Sequence, residues 1–395
     1  MPTLCGAWAT ARPNNKFKCC ESQGTSSSLA LRCFAASLAY IDIRLFIEVL
    51  KILLTADAEL PVPPKLYGGI ERVIASLVEE FRRRGHEVGL VAHRESCVET
   101  DAFFPWPGLT STSRGDSLRN ALGLRNAAAD FQPDILHSFS RLLWLLPFRF
   151  QTSGLKFPLV MSYQREPSGR TVELSRRIHG HRLRFTACSE QLAEKGRQRG
   201  GGVWAAIPNF IDPAKLTFVS SVPPDAPLVF LSRIEPVKGC HNAIAIAKAS
   251  GRRLLIAGNR VETGSAAGYW EAEIEPHLGK DGIEYVGTVD DAQKNELLGS
   301  AAAMVVPIEW DEPFGIVFAE ALACGTPVIA TPRGAVPEIV EDGVHGFHIA
   351  NAAKGVEAVE SIGEINRRRC REQVDRRFTV QAVANRYLEM YQDFH

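Results

Sequence analysis

Two successive series of short apolar segments, separated by helical segments, constrain this chain more than any other feature. The first series falls at residues 51–55, 87–92, 135–138, 159–162, 185–187 and 203–207. The second falls at 228–231, 254–257, 283–286, 304–307 and 328–330. Between the first two segments Ile70, Val73, Ile74, Leu77, Val78 and Phe81 recur with the spacing of one helix face, and Gly85 supplies the stop. Such alternation builds parallel sheets with right-handed crossovers, so the expected fold is α/β with two doubly wound halves. A Pro-studded stretch at 208–227 reads as the linker between them. Ligands of open α/β sheets bind at the carboxyl ends of the strands, so two such sheets facing each other place the chemistry in a cleft.

Composition narrows the partners. The 395 residues carry 45 Lys+Arg against 45 Asp+Glu, and a net charge of zero lacks the strongly basic footprint of a nucleic-acid binder. A hydrophobic share of 45% and a charged share of 23% exclude a disordered or fibrous chain and a multispan membrane protein. Cys97, Cys188, Cys240, Cys324 and Cys370 are scattered singly, with no zinc-type spacing, which fits a reduced cytoplasmic protein. The nearest approach to a membrane span, residues 29–54, is interrupted by Arg32, Asp42, Arg44, Glu48 and Lys51. Residues 1–49 hold Cys5, Cys19, Cys20 and Cys33 and no clean periodicity. They are expected to be a poorly structured extension ahead of a working chain that starts near Leu50, with a targeting or partner-binding tail as the alternative.

Three segments converge on the expected cleft. The first runs from Glu312 through Pro313, Phe314, Gly315, Ile316 and Val317 to Glu320, just after the strand at 304–307. Pro313 suits a first helical turn and Gly325 a C-terminal stop. Residues 316–319 and 321–323 are all apolar, so this helix should be buried, and a carboxylate on it is costly unless something binds it. If the segment is helical throughout, ~1.5 Å per residue sets the two glutamates about 12 Å apart, roughly the reach from the sugar to the ribose of an extended sugar-diphosphate nucleoside. Amides near Gly315, at the helix start, offer an anion site. A core helix with Glu320 paired to an Arg elsewhere is the alternative. The second segment, residues 232–239, places Arg233 and Lys238 at the carboxyl edge of the same sheet, suited to a diphosphate or else simply solvated. The third, Lys65-Leu66-Tyr67-Gly68-Gly69, lets backbone approach a ligand closely or makes a tight turn. No G-x-G-x-x-G follows an expected strand, and no P-loop pattern occurs.

Together these motifs, with Ile207-Pro208-Asn209 and the run from Thr331 to Glu338, resemble the family 4 retaining glycosyltransferases of GT-B fold. That group includes bacterial mannosyl-, glucosyl- and glycogen-synthase-like enzymes. The resemblance runs from about residue 51 to residue 394. It implies two Rossmann-like domains facing a central cleft: 50–210 on the acceptor side, 211–379 for the nucleotide sugar, and a helix at 380–395 crossing back. It further implies transfer of a sugar from a nucleotide-diphosphate sugar to an acceptor hydroxyl with retention, needing no metal and no cofactor. The acceptor would be a carbohydrate, a lipid-linked molecule or a small molecule. By the same resemblance Glu320 would hold the ribose hydroxyls, and Glu312, with the backbone of Phe314 and Gly315, the donor sugar. Arg233 and Lys238 would stabilise the leaving diphosphate, with amides from Ile316 and Val317. Val286 and Gly287 would pack the base, while Lys65, Gly68 and Gly69 would border the acceptor and donor phosphates.

One position departs from the family. A histidine often stands by the sugar after the strand that ends near Ser162, and here Gln164 takes its place, a side chain that cannot act as an acid or base. His137 is a candidate substitute, or else structural. On the acceptor side, the basic runs at 81–84 and 176–184 and the apolar run at 141–148 suggest a peripheral membrane face, or a solvated surface over a core segment. A GT-B-type sugar-nucleotide epimerase and a non-catalytic nucleotide-sugar-binding protein are the rival functions.

Overall fold

A computed structural model describes residues 49–64, 68–149, 156–261 and 263–394. The expectations for residues 1–48 and for Lys65 lie outside these described residues. The first half contains β1 (Lys51–Thr55), α1 (Gly69–Arg83), β2 (Glu87–Ala92), β3 (Ala102–Pro105), α2 (Arg114–Phe131), β4 (Ile135–Ser138), β5 (Leu159–Tyr163), α3 (Gly169–His179), β6 (Leu183–Ala187), α4 (Glu190–Gly200) and β7 (Trp204–Ala206). Its strands form one sheet in the order β3-β2-β1-β4-β5-β6-β7, parallel throughout.

The second half contains β8 (Leu228–Leu231), α5 (Cys240–Ser250), β9 (Leu254–Ala257), β10 (Ile283–Gly287), α6 (Asp291–Ser300), β11 (Ala303–Val306), α7 (Ile316–Ala323), β12 (Val328–Ala330), α8 (Val336–Ile339), β13 (Gly346–His348), α9 (Ala352–Glu360), α10 (Arg367–Arg377) and α11 (Val380–Gln392). Its strands run β10-β9-β8-β11-β12-β13, again all parallel. The expected α/β fold of two doubly wound parallel sheets is therefore present.

The central strands are apolar on both faces because helices cover both faces of a parallel sheet. Ile52, Leu53 and Leu54 are fully buried, as are Leu228, Val229 and Phe230. The two strands absent from the sequence expectation, β3 and β13, are both edge strands. β3 is half-exposed and ends in a proline, and β13 has only three residues, so neither carries a buried apolar run.

The apolar face of α1 buries Val73, Ile74, Leu77, Val78 and Phe81. Over it lies α11, whose Val383, Ala384, Tyr387, Leu388, Met390 and Tyr391 join the same apolar cluster. The last helix of the chain thus completes the core of the first half. Its polar anchor is Tyr391, whose hydroxyl lies 2.5 Å from His137 Nδ1, while His137 Nε2 lies 2.7 Å from Ser162 Oγ.

The apolar run after β4 turns inward. Leu142, Trp144, Leu145 and Phe148 are buried against α2 and Phe157, and Leu143 is the exposed apolar side chain among them. The basic runs are tied locally: Arg83 and Arg84 to Glu80, Arg177 to Glu173, Arg182 to the Phe157 carbonyl and Arg184 to that of Asp393. The apolar run is therefore part of the core, which fits the alternative of a solvated basic surface over a core segment. No helix among the described residues is long and apolar enough to cross a membrane.

Tyr391→Ala is expected to cost about 3–5 kcal/mol, the range for deleting a buried aromatic side chain. Urea unfolding monitored by tryptophan fluorescence measures it, and a loss under 1 kcal/mol would mean that α11 is not integral to this core.

Candidate functional site

Each sheet starts at an inner strand, moves outward to one edge, then returns and continues on the other side. That reversal opens a crevice beside the first strand, between β8 and β11 in the second half. The chain leaving β8 carries Arg233 and, through a short helical turn, Lys238. The chain leaving β11 carries Trp310 and Glu312. The two exits meet: Lys238 Nζ lies 2.5 Å from Glu312 Oε2, and Trp310 Nε1 donates to the same oxygen at 3.0 Å. The ammonium also sits 4.5 Å from the centre of the Trp310 ring. Both side chains of the ion pair are largely buried, 9% and 13% exposed, so each is the other's compensation for lost water.

The run from Thr331 to Glu338 braces this carboxylate from behind. The Ala335 amide donates to the Glu312 carbonyl at 2.8 Å, and the Thr331 hydroxyl donates to the Ile308 carbonyl. A Cβ at Gly334 would stand 2.2 Å from the Glu312 carbonyl oxygen, so only glycine lets the two backbones close to this distance.

The helix carrying Glu320 begins at Ile316, not at Pro313, which corrects the sequence expectation. Gly315 has φ +84°, a left-handed conformation that cannot extend a right-handed helix upstream. Glu312 therefore lies on an extended approach, and the separation expected for a continuous helix does not apply. The amides of Ile316 and Val317 belong to the first turn, where no preceding helical carbonyl takes them. Gly325, φ +81°, follows the last turn as expected.

Glu320 is paired, but with a lysine instead of an arginine: Lys294 Nζ lies 2.6 Å from its Oε1. Burial nevertheless holds the Glu320 carboxyl above its ordinary value, with Lys294 opposing the shift. Lys294 itself is held above the ordinary lysine value by Glu320 and Asp291, against its own burial.

The remaining positions are distributed around these two pairs. Arg233 is half-exposed and turned toward Glu235, 2.8 Å away. Val286 is exposed at the end of β10, and Gly287 follows it with φ +84° and open space where a side chain would be. In the first half, Gly68 and Gly69 precede and open α1, and a Cβ at Gly69 would come within 3.4 Å of Ile316 Cδ1. The glycine loop therefore abuts the start of α7. Gln164 opens the loop that leaves β5 and accepts from Asn209 Nδ2 at 2.8 Å. The Phe314 side chain is buried against Phe378.

His137 is not part of this site. It is fully buried inside β4, both ring nitrogens are engaged, and desolvation pushes its pKa down to about 3. The acid–base role considered for it is corrected to a core role, because a neutral ring sealed from solvent exchanges no proton with a substrate.

Sequence reasoning missed Trp310 and Lys294, and it took Glu338 only as the end of a motif, with no role of its own. Trp310 lies only two positions before Glu312, and an indole beside an acidic motif was its one available signal. Lys294 gives no signal, since it belongs to another helix, 26 residues away. Glu338 joins the halves: the Glu190 and Gln191 amides, at the start of α4, donate to its carboxylate at 2.8 and 3.0 Å. Negative charge is favoured at that helix end. Lys195, on the same helix, pairs with Asp311 at 2.8 Å.

Lys238→Met should destabilise the fold by about 3–5 kcal/mol, since it strands a buried Glu312, whereas Lys238→Met combined with Glu312→Leu should recover most of that loss. Denaturant unfolding of the four proteins of this cycle measures the coupling. Additive losses would show that the two charges do not depend on each other.

Sequence and structure comparisons identify the family. The family model for Glycosyltransferase Family 4 matches residues 67–215, and that for glycosyl transferases group 1 matches residues 218–377. A glycogen synthase of Mycobacterium tuberculosis is 27% identical over 308 residues, covering 69% of this chain and 72% of the relative. A D-inositol 3-phosphate glycosyltransferase of Mycolicibacterium smegmatis is 35% identical over 142 residues, 35% of this chain and 32% of the relative. Among solved structures, the sucrose-phosphate synthase of Thermosynechococcus elongatus superimposes with a TM-score of 0.69 at 19% identity, covering 87% of this chain and 99% of that one. Anabaena HepE, solved with UDP and glucose, superimposes at 0.64 with 18% identity, over 87% and 100%. With both halves matched in sequence and the whole architecture matched in structure, the chain belongs to the family 4, group 1 glycosyltransferases and has their GT-B fold.

Proposed function

We propose that this glycosyltransferase moves a sugar from a nucleoside diphosphate sugar to an acceptor hydroxyl, with retention at the anomeric carbon and without a catalytic metal. The observation that carries the proposal is the meeting of Lys238 and Glu312 at the reversal point of the second sheet, with Glu320 on the helix that follows. In this reading Lys238 serves the diphosphate, Glu312 the sugar and Glu320 the ribose. The UDP and glucose of the Anabaena neighbour, and the glycosyl transfer named for the mycobacterial relatives, support the same substrate class.

In this scheme the bond between the anomeric carbon and the diphosphate oxygen breaks, and its electron pair leaves with the diphosphate. The acceptor oxygen bonds to the same face of that carbon, and its proton passes to the departing phosphate oxygen. No protein base is required, which suits a site where Gln164 cannot take a proton and His137 is sealed in the core. Catalysis is then electrostatic. Arg233, swinging from Glu235, joins Lys238 and the amides of Ile316 and Val317 to meet charge that grows as the bond lengthens. One such donor contributes about 2.7–4 kcal/mol, or 10²–10³ in turnover, by analogy with an oxyanion-hole group.

The test begins with melting curves in UDP, GDP, ADP and CDP. At about 100 times its dissociation constant, the matching nucleotide adds ~2.7 kcal/mol of stability. Glu320→Ala should abolish that shift. Arg233→Ala, an exposed change, should lower kcat about 10²–10³-fold and leave the melting point nearly unchanged. Turnover should persist in EDTA. No stabilisation by any of the four nucleotides would overturn the proposal, and loss of turnover in EDTA restored by Mg²⁺ would overturn its metal-free part.

A further inference from the structure

Lys294 is a largely buried cation that this scheme leaves without a task. It sits in the first turns of α6, whose start is fixed by a reciprocal cap between Asp290 and Gln293. From there its ammonium reaches two carboxylates, Glu320 Oε1 at 2.6 Å and Asp291 Oδ1 at 3.1 Å. Two of its three N–H groups are thereby taken, and the side chain, one-fifth exposed, is held from both sides. Glu320 is on a helix whose other residues from 316 to 323 are all apolar, so its charge has no support from its own element.

We propose that Lys294 is a positioning residue of the nucleotide site: it keeps the Glu320 carboxylate ionised and aimed at the ribose hydroxyls. This inference rests on the nucleotide-sugar function proposed above. A ribose diol donates two hydrogen bonds, and only the ionised carboxylate offers both oxygens as acceptors. A buried carboxyl drifts toward its neutral form, and an opposite charge in contact reverses that drift by about 1–3 pH units. Other charged or titratable groups near Glu320 do not replace Lys294. Asp291 on α6 is of like charge, and Arg72 on α1 is engaged with Asp291 at 3.5 Å. Cys324, one turn on in α7, is a thiol whose pKa burial pushes up to about 11. On α10, Arg367 donates to the carbonyls of Val219, Gly299 and Ala301, and Arg371 pairs with Asp375.

The sign follows directly. Glu320 must be deprotonated to bind, so nucleotide affinity falls as the pH drops through its pKa. Removing Lys294 raises that pKa further, and the acid limb moves to higher pH.

The experiment is the dissociation constant of whichever of UDP, GDP, ADP and CDP stabilises the intact chain, titrated from pH 5 to 9. The nucleotide's own phosphate ionisation is common to all variants. Lys294→Met should move the acid limb up by about 1–3 pH units, and Lys294→Arg should return it toward the wild-type position. Glu320→Gln should weaken binding and erase the limb. Should Lys294→Met alone fail to fold, the double variant Lys294→Met/Glu320→Gln removes both charges together, and against Glu320→Gln it should bind within about twofold. A wild-type limb in Lys294→Met, or a further large loss in the double variant, would overturn the role given to Lys294 while leaving the nucleotide site intact. No nucleotide bound by the wild type would instead overturn the site itself, and this inference with it.

Discussion

The reversal of strand order in the second sheet is the constraint on which the site depends. Strands β8 and β11 are neighbours in space but are separated in the chain by two strands on the other side. Their exits therefore diverge to opposite faces, and the residues immediately after each strand line the opening between them. Lys238 arrives from one exit and Glu312 from the other, and neither segment could place both charges. The first sheet repeats the same winding, with the glycine loop leaving β1 and Gln164 leaving β5. Gly69 against Ile316 is one place where the two windings come into contact.

Burying charge is expensive, and the chain meets that cost by pairing. Lys238 with Glu312 and Lys294 with Glu320 are both short, both largely buried, and each joins separate elements. Such pairs are weak sources of net stability, because desolvation consumes most of the Coulomb attraction. They do impose specificity, since losing one partner leaves the other stranded. The same logic explains Gly334 and Ala335, which hold the Glu312 backbone so that its side chain has one direction to point. Across the halves, Glu338 at the start of α4 and Lys195 at Asp311 are polar contacts of the same paired kind.

How far these features could be read from the sequence follows from their physics. The central strands were legible because parallel strands buried on both faces are continuous apolar runs, as in Ile52-Leu53-Leu54 and Leu228-Val229-Phe230. Edge strands β3 and β13 were not, because one exposed side removes that pattern. Glu320 stood out as a carboxylate within an apolar helix, and the need for a cation followed, yet the identity of that cation did not. Lys294 lies on a different helix, and only the packing of α6 on α7 brings the two together. The start of α7 was misplaced because the proline at 313 is a legible helix signal, whereas the positive φ of Gly315 is a property of the folded backbone. His137 illustrates the converse: a histidine near the end of a strand reads as a candidate or as structural, and the helix α11, from far along the chain, decides it by covering the ring with Tyr387 and Tyr391.

These pairings also bear on how a charged substrate can be received. A site lined with unpaired buried charges would bind its ligand at the expense of its own fold. Here Glu312 and Glu320 each already have a cation in contact, so on the function proposed above a sugar or a ribose would only donate hydroxyl hydrogens to oxygens that are already held in place. In the same proposal the diphosphate would be met by the half-exposed Arg233, which rests on Glu235, and by the first-turn amides of α7, beside a Lys238 held by Trp310 and Glu312. On the function proposed here, ground-state hydroxyls meet neutral-paired carboxylates, while the charge that develops as the glycosidic bond lengthens meets donors fixed in advance. Interactions that strengthen only as that charge grows raise turnover, whereas those already complete in the bound substrate do not. The division between the paired carboxylates and the diphosphate donors is thus a division between recognition and rate.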